Sequence, residues 1–385
     1  IAIVDHSYHK RTKSTEFLFD LFREQFEVEV FFDESWRSGW ERYSMGGMPV
    51  RGNYEWIVFL QVFPPPGSLR LLKCKNILCV PMLDGMIGLS PDFFTSLRNC
   101  YFLSFSRTLH DFLGALGYRS LYLQYFPETC ASDNELASAE TGSRNKSAFF
   151  WQRRTPVTVD VVKSLLGVAP SINRLHIHCK ADPGFEYLEK VEPEFHDTLE
   201  VSQSTWLGTR TDFHRLLTEC GVFFAPRQYE GIGMSFLEAM SLGKCVVSPD
   251  SPTANEYIQH GVTGLLYDPS NPEVLDFDSV STIRKNALEF VRQGRENYVA
   301  GSREFVANLL QRNLSCFNGF LLAKASDPVA ALELRHRENL ELIREYTSRP
   351  WLTRTVRRYL LEALCIAGFM FARIKRACTG GGSKV

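Results

Sequence analysis

Short apolar runs alternate with stretches of helical period along most of the chain. The first half offers six such runs, residues 1–5, 28–32, 56–62, 76–82, 100–105 and 120–126, each of strand length. Trp56-Ile57-Val58-Phe59-Leu60 is apolar without alternation, as a strand covered on both faces requires. Between the first two runs, residues 14–25 place Phe17, Leu18, Leu21 and Phe22 on one face of a helix. A second series follows at residues 148–151, 174–178, 199–201, 222–225 and 245–248, separated by helical stretches such as 159–166 and 212–220. Alternation of this kind predicts parallel α/β sheets.

Composition shifts between the two series. Glu128-Thr129-Cys130-Ala131-Ser132-Asp133-Asn134 opens a polar stretch over 128–146, read as an interdomain linker. A length of 385 residues suits two α/β domains. The expected division is a Rossmann-like domain at 1–135, a second at 146–320, and C-terminal helices at 321–377 that pack back on the first. Two such sheets imply two Rossmann-like halves facing each other across a cleft, with ligands beyond the carboxyl ends of the strands. Segments 281–312 and 330–346 read as helices, and residues 351–377 as a different kind of helix. There an apolar core at 359–371 is flanked by Arg354, Arg357, Arg358, Arg373, Lys375 and Arg376, a pattern that suits contact with a membrane surface. The Gly380-Gly381-Gly382-Ser383 tail reads as a flexible end.

Composition narrows the function classes. A hydrophobic share of 44% and a charged share of 23% are ordinary for a soluble globular protein. The net charge of -1 gives no global attraction to nucleic acid, so no nucleic-acid partner is expected. The 10 cysteines show no Cys-x2-Cys pair and no Cys/His spacing for zinc, and no metal ion is expected. Most lie in apolar runs, as small buried hydrophobes of a reducing compartment do. Ile1-Ala2-Ile3-Val4-Asp5 reads as a buried strand rather than a leader, and no apolar run reaches membrane-spanning length. The expected location is the cytoplasm, peripheral at the inner face of the membrane. The sequons at Asn145 and Asn313 carry little weight in that setting.

The chemistry concentrates in Ala225-Pro226-Arg227-Gln228-Tyr229-Glu230-Gly231-Ile232-Gly233-Met234-Ser235-Phe236-Leu237-Glu238-Ala239-Met240. A strand ends at Ala225, a turn with Gly231 and Gly233 follows, and a helix begins near Ser235. Glycines allow close approach of backbone to a ligand, and a helix N-terminus favours a diphosphate. Glu230 on the loop and Glu238 on the first helical turn can hydrogen-bond hydroxyls at two points of one sugar nucleotide. Ser235-Phe236-Leu237-Glu238 also has capping-box spacing, which would leave Glu238 a purely structural role. Thr253-Ala254-Asn255-Glu256 has the same spacing, and Glu256 is read as a cap.

Glu230 and Glu238 form an E-x7-E pattern that resembles the retaining glycosyltransferases of family 4, the "group 1" transferases of the GT-B fold. Ser241-Leu242-Gly243-Lys244-Cys245-Val246-Val247 is similar to the family's G-x-P-V-V strand. Asn255-Glu256-Tyr257-Ile258 followed by Gly261-Val262-Thr263-Gly264-Leu265-Leu266 is similar to its E-x-I…G-x-x-G-x-L segment. The resemblance implies transfer of a sugar from a nucleotide-sugar to a glycan or lipid-linked acceptor, with retention and without a further cofactor. It assigns the donor sugar to Glu230, the ribose to Glu238, and the sugar or diphosphate to the N–H groups of Ile232, Gly233, Met234 and Ser235. Arg153 and Arg154, just past the first strand of the second domain, are its candidates for neutralising the departing diphosphate.

The chain departs from that pattern in three places. No lysine follows the arginines in Thr155-Pro156-Val157-Thr158-Val159. The glycine-rich turn after the first strand is replaced by His6-Ser7-Tyr8-His9-Lys10-Arg11-Thr12-Lys13-Ser14-Thr15, and Pro81-Met82-Leu83-Asp84-Gly85 lacks the family's histidine. His9 and Asp84 are therefore the candidate N-domain contacts. Two other functions stay open: a sugar-nucleotide epimerase of the same fold, and a non-catalytic nucleotide-sugar-binding homologue. His110 reads as a packing or capping residue, and Trp36 with Trp40 as a local apolar cluster or an acceptor platform.

Overall fold

The computed structural model describes residues 1–35, 44, 52–87, 89, 91–129, 144–167, 171–182, 184–189, 195, 199–205, 210–318, 360 and 363. Residues 130–143, Trp36, Trp40, the helix expected at 330–346 and most of 351–377 lie outside them. The chain divides into two units, Ile1–Leu123 with the segment from Ala300 onward, and Gln124–Val299.

The first unit holds β1 (Ala2–His6), β2 (Glu29–Asp33), β3 (Ile57–Leu60), β4 (Ile77–Val80), β5 (Tyr101–Ser104) and β6 (Arg119–Tyr122). They form one sheet in the order β2-β1-β3-β4-β5-β6, and every pairing is parallel. Parallel neighbours need a crossover between them, and the helical stretches supply it. These are α1 (His9–Thr12), α2 (Glu16–Arg23), α3 (Leu83–Met86) and α4 (Arg107–Ala115). Ile57, Val58, Phe59 and Leu60 are all buried, as the unbroken apolar run predicts. Residues 6–15, which stand in place of a glycine-rich turn, contain α1, a single turn. His110 lies within α4, where its Nδ1 sits 3.0 Å from Ser120 Oγ, while Ser106 caps the helix by accepting from Leu109 N–H.

The second unit repeats the plan with β7 (Ser147–Trp151), β8 (Arg174–His178), β9 (Glu200–Ser204), β10 (Val222–Phe224), β11 (Cys245–Pro249) and β12 (Gly264–Tyr267). Their order is β12-β11-β10-β7-β8-β9, again all parallel. The helices are α5 (Val159–Leu166), α6 (Arg210–Glu219), α7 (Met234–Ser241) and α8 (Val280–Leu310). Val159, Val162, Leu165 and Leu166 of α5 enter one core with Phe150, Ile177, Phe224 and Val247. Each fully buried phenylalanine there contributes about 1.5–3 kcal/mol of transfer free energy. β12 is the strand the apolar pattern does not announce, being short, begun by glycine and set at a sheet edge.

Helix α8 contributes to both units, residues up to Val299 to the second and those from Ala300 to the first. In the first unit Phe305 meets Phe22 at 6.2 Å, and the Leu309 carbonyl accepts from the indole N–H of buried Trp56. In the second, Phe126 packs on Phe290 and Tyr257, each at 5.3 Å. Among the described residues no helix is long and apolar enough to cross a membrane. The described cysteines are free thiols, all but Cys316 buried, and burial pushes Cys220 up to about 11.

Arg284 of α8 is 3% exposed; its Nε donates to the Gly243 carbonyl at 2.7 Å and its Nη1 to Asn145 Oδ1 at 2.6 Å. This one side chain joins the helix to the chain entering β7 and β11. Arg284→Met keeps the stem but strands the buried Gly243 carbonyl and takes a bond from half-buried Asn145, and should cost about 2–4 kcal/mol of stability, read from urea denaturation.

Candidate active site

Parallel pairing delivers the carboxyl ends of β7, β8, β10 and β11 to one edge of the second sheet, and the charged candidates gather in the loops just past it. Trp151 ends β7, and its indole N–H donates to the Lys180 carbonyl at 2.7 Å. Gln152, 1% exposed, anchors the following turn by accepting from Val159 N–H at 2.8 Å and donating to the Leu188 carbonyl at 2.7 Å. That fixed turn presents Arg153 and Arg154.

Both arginines bind Asp182, in the loop after β8. Arg153 donates to Oδ1 from Nε at 2.9 Å and from Nη2 at 2.7 Å, and Arg154 Nε donates to Oδ2 at 3.0 Å. A third guanidinium joins from the loop after β10: Arg227 Nη2 donates to Oδ2 at 2.7 Å. The Asp182 amide is itself held by the Arg153 carbonyl at 2.9 Å. Burial pushes the Asp182 carboxyl up, but Arg153, Arg227 and Arg154 together outweigh it and hold it below its ordinary value. Burial, then Arg227, pulls Arg153 down. The Arg153 guanidinium also lies 4.7 Å over the Trp151 ring, and that of Arg154 5.6 Å over Phe185.

The loop after β10 is fastened at two points. Ala225 N–H donates to the Val247 carbonyl at 2.8 Å, and the hydroxyl of fully buried Thr253 donates to the Glu230 carbonyl at 2.7 Å. Glu230 is 7% exposed, and its Oε2 lies 3.9 Å from Arg227 Nη1. Gly231, Ile232 and Gly233 are buried with it. Gly233 caps α7 with φ of +84°, and a Cβ there would meet the Phe236 ring at 1.9 Å. The first amide to enter the α7 ladder is Leu237, bonded to the Gly233 carbonyl, so the N–H groups of Met234, Ser235 and Phe236 precede it.

The helix begins at Met234, one residue before the expected start, so Glu238 is its fifth residue and lies on the second turn rather than the first. The cap is Gly233 and carries no side-chain bond, so the box Ser235-to-Glu238 does not form. The box at Thr253 does not form either: its side chain makes no cap bond, and its hydroxyl donates to the Glu230 carbonyl. Glu238 is partly buried on the same loop-helix unit as Glu230.

The N-domain candidates lie in the other unit. His9 opens α1, is 8% exposed, and bonds through Nδ1 to Asp5 Oδ1 at 2.6 Å. Thr15 Oγ1 donates to the second Asp5 oxygen at 2.7 Å, so the pair is built into the carboxyl end of β1. Asp84 is partly buried in the first turn of α3. Asp182, Arg227, Gln152 and Thr253 are the site residues that the sequence reading passed over. Only Asp182 had a visible signal, a polar Asp-Pro-Gly turn directly after a strand. Among the described residues no three His, Cys, Asp or Glu side chains are grouped to hold a metal ion.

Residues 188–295 match the family model "Glycosyl transferases group 1". The match takes in Arg227, Glu230, Thr253 and Glu238 but begins after Asp182. A similar relative is the N,N'-diacetylbacillosaminyl-diphospho-undecaprenol alpha-1,3-N-acetylgalactosaminyltransferase of Campylobacter jejuni, 31% identical over 105 residues. That alignment spans 25% of this chain and 28% of the relative. Among solved structures, sucrose-phosphate synthase from Thermosynechococcus elongatus superposes with a TM-score of 0.56 at 12% identity, over 82% of this chain and 99% of that one. Anabaena Alr3699/HepE in complex with UDP gives 0.54 at 16% identity, over 81% and 99%. At these identities the likeness shows the fold, and the fold is GT-B.

Two outcomes follow from this geometry. Gly233→Ala should lose about 1–3 kcal/mol of stability, measured by thermal melting, because the left-handed backbone and the Phe236 ring both oppose a methyl group. At the end of β8, burial and then His176 pull His178 down to about 4. Below pH 6.5 the unfolded chain takes up a proton that the folded one refuses until about pH 4. Stability should therefore fall by about 2 kcal/mol as pH drops through that window. Urea midpoints between pH 7 and 4.5 read this slope, and His178→Gln should flatten it; lowered His176 and His6 leave a remainder of the same sign.

Proposed function

We propose that the chain transfers a sugar from a nucleoside-diphosphate donor to a glycan or lipid-linked acceptor, with retention at the anomeric carbon. The observation that carries this reading is the Glu230 loop, pinned by Thr253 and set against Arg227 within the group 1 segment. In this reading Glu230 takes donor-sugar hydroxyls and Glu238 the ribose. The N–H groups around Ile232, Gly233, Met234 and Ser235 take the sugar or diphosphate, and Arg153 with Arg154 stabilises the charge that develops on the leaving diphosphate. No cofactor enters the scheme beyond the donor itself. The Campylobacter jejuni relative is named for an acceptor linked to diphospho-undecaprenol and Alr3699/HepE was solved with UDP, which supports a lipid-linked acceptor and a uridine donor.

A non-catalytic nucleotide-sugar-binding protein is the second reading. The observation on its side is His9, whose Nδ1 is committed to Asp5 inside an altered turn.

A thermal-shift panel of UDP, GDP, ADP and their sugar conjugates separates the cases. One nucleotide should raise the melting temperature, by the equivalent of about 2.7 kcal/mol at a hundredfold excess over Kd, and Glu238→Ala should abolish the shift. No shift with any member would overturn the donor site. Binding without transfer to any acceptor would favour the second reading, and donor turnover without an acceptor would point to an epimerase.

A further inference from the structure

Arg153 and Arg154 share one carboxylate, that of Asp182, with a third guanidinium, Arg227, and neither Asp182 nor Arg227 has a role above. These residues come from three separate loops, after β7, β8 and β10. We infer that Asp182 is a positioning residue that holds the three guanidiniums as a preformed diphosphate-binding site, and that Arg227 is a diphosphate ligand of that site. The inference deepens the donor-site reading and rests on it for the identity of the anion.

Three features of the geometry support it. The cluster sits beyond the carboxyl ends of β7, β8 and β10, beside the loop that leads into α7. Its formal charge is positive even with Glu230 included, three guanidiniums against two carboxylates. Its members are graded outward, with Asp182 11% exposed, Arg227 16%, Arg153 22% and Arg154 36%. The carboxylate is thus the most buried member, and exposure rises through Arg227 and Arg153 to Arg154. A guanidinium is a planar fork, and an edge spent on a carboxylate sets the direction of its other edge. The third cation comes from the loop that carries Glu230. Arg227 thereby links the sugar end of the donor to its diphosphate end.

Calorimetric titration with inorganic pyrophosphate and with UDP tests this on wild type, Arg227→Gln, Arg227→Lys, Asp182→Asn and Asp182→Glu. Wild type should bind both. Arg227→Gln should weaken each by tenfold or more, and Arg227→Lys by less, since it keeps the charge and loses the fork. Asp182→Asn should also weaken both, although deleting a negative charge beside an anion site would strengthen them on Coulomb grounds alone; Asp182→Glu should recover part of the loss. If Asp182→Asn binds pyrophosphate as tightly as wild type or more tightly, or Arg227→Gln is unchanged, the inference is wrong while UDP binding leaves the donor reading standing. Pyrophosphate binding without binding of UDP or the other nucleotides would leave the anion site and remove the donor. Absence of both overturns both. Phenylglyoxal labelling of the wild type, mapped by mass spectrometry, needs no variant to fold: pyrophosphate should protect Arg227 and Arg154, and unprotected labelling of both would sink the assignment.

Discussion

Parallel pairing is the constraint on which the second unit depends. A strand buried on both faces has no room for charge along its length, so charged side chains collect where strands end. Because β7, β8, β10 and β11 all run one way, their carboxyl ends meet at one edge. Arg153, Asp182, Arg227, Glu230 and Thr253 span a hundred residues of sequence and still form one connected set of contacts. The sheet places the loops, and a handful of hydrogen bonds from Gln152, Trp151 and Thr253 then fix where each one points.

The strands were legible because their signal is local. Phe149-Phe150 and Val222-Phe223-Phe224 are apolar on both sides, and burial of each residue follows from that alone. Helix α5 was legible residue for residue, since Val159, Val162, Leu165 and Leu166 keep one face. The edge strand β12 was not, because a short strand begun by glycine has too little pattern to read. Nor was α1, a single turn inside a polar stretch, which buries His9 against Asp5.

The candidate site divided along the same line. The positions of Glu230, Gly231 and Gly233 follow from a strand, a turn and a helix start, all encoded in consecutive residues. The capping-box alternatives were just as local in appearance, and tertiary contacts decided against them. Gly233 takes the cap position with its positive φ, and the Thr253 hydroxyl turns to the Glu230 carbonyl instead of the helix it precedes. Arg227 was hidden for the opposite reason: it is ordinary in its own segment, and meaning comes only from a partner 45 residues away.

Like charges set this close oppose one another by roughly 4 kcal/mol for a pair about 4 Å apart at an effective dielectric near 20. Three guanidiniums on one sheet edge would splay outward without a counter-charge. Asp182 prevents that, and because it brings one charge against three it does so without neutralising the cluster. Burial and the neighbouring Arg227 both pull Arg153 down, so its charge is held there at a cost. An anion entering the cluster would relieve that repulsion, and the guanidiniums would need little reorganisation to receive it. Structures of this kind trade stability in the resting protein for order at the moment of binding, the condition under which fixed charge is most effective on a leaving group.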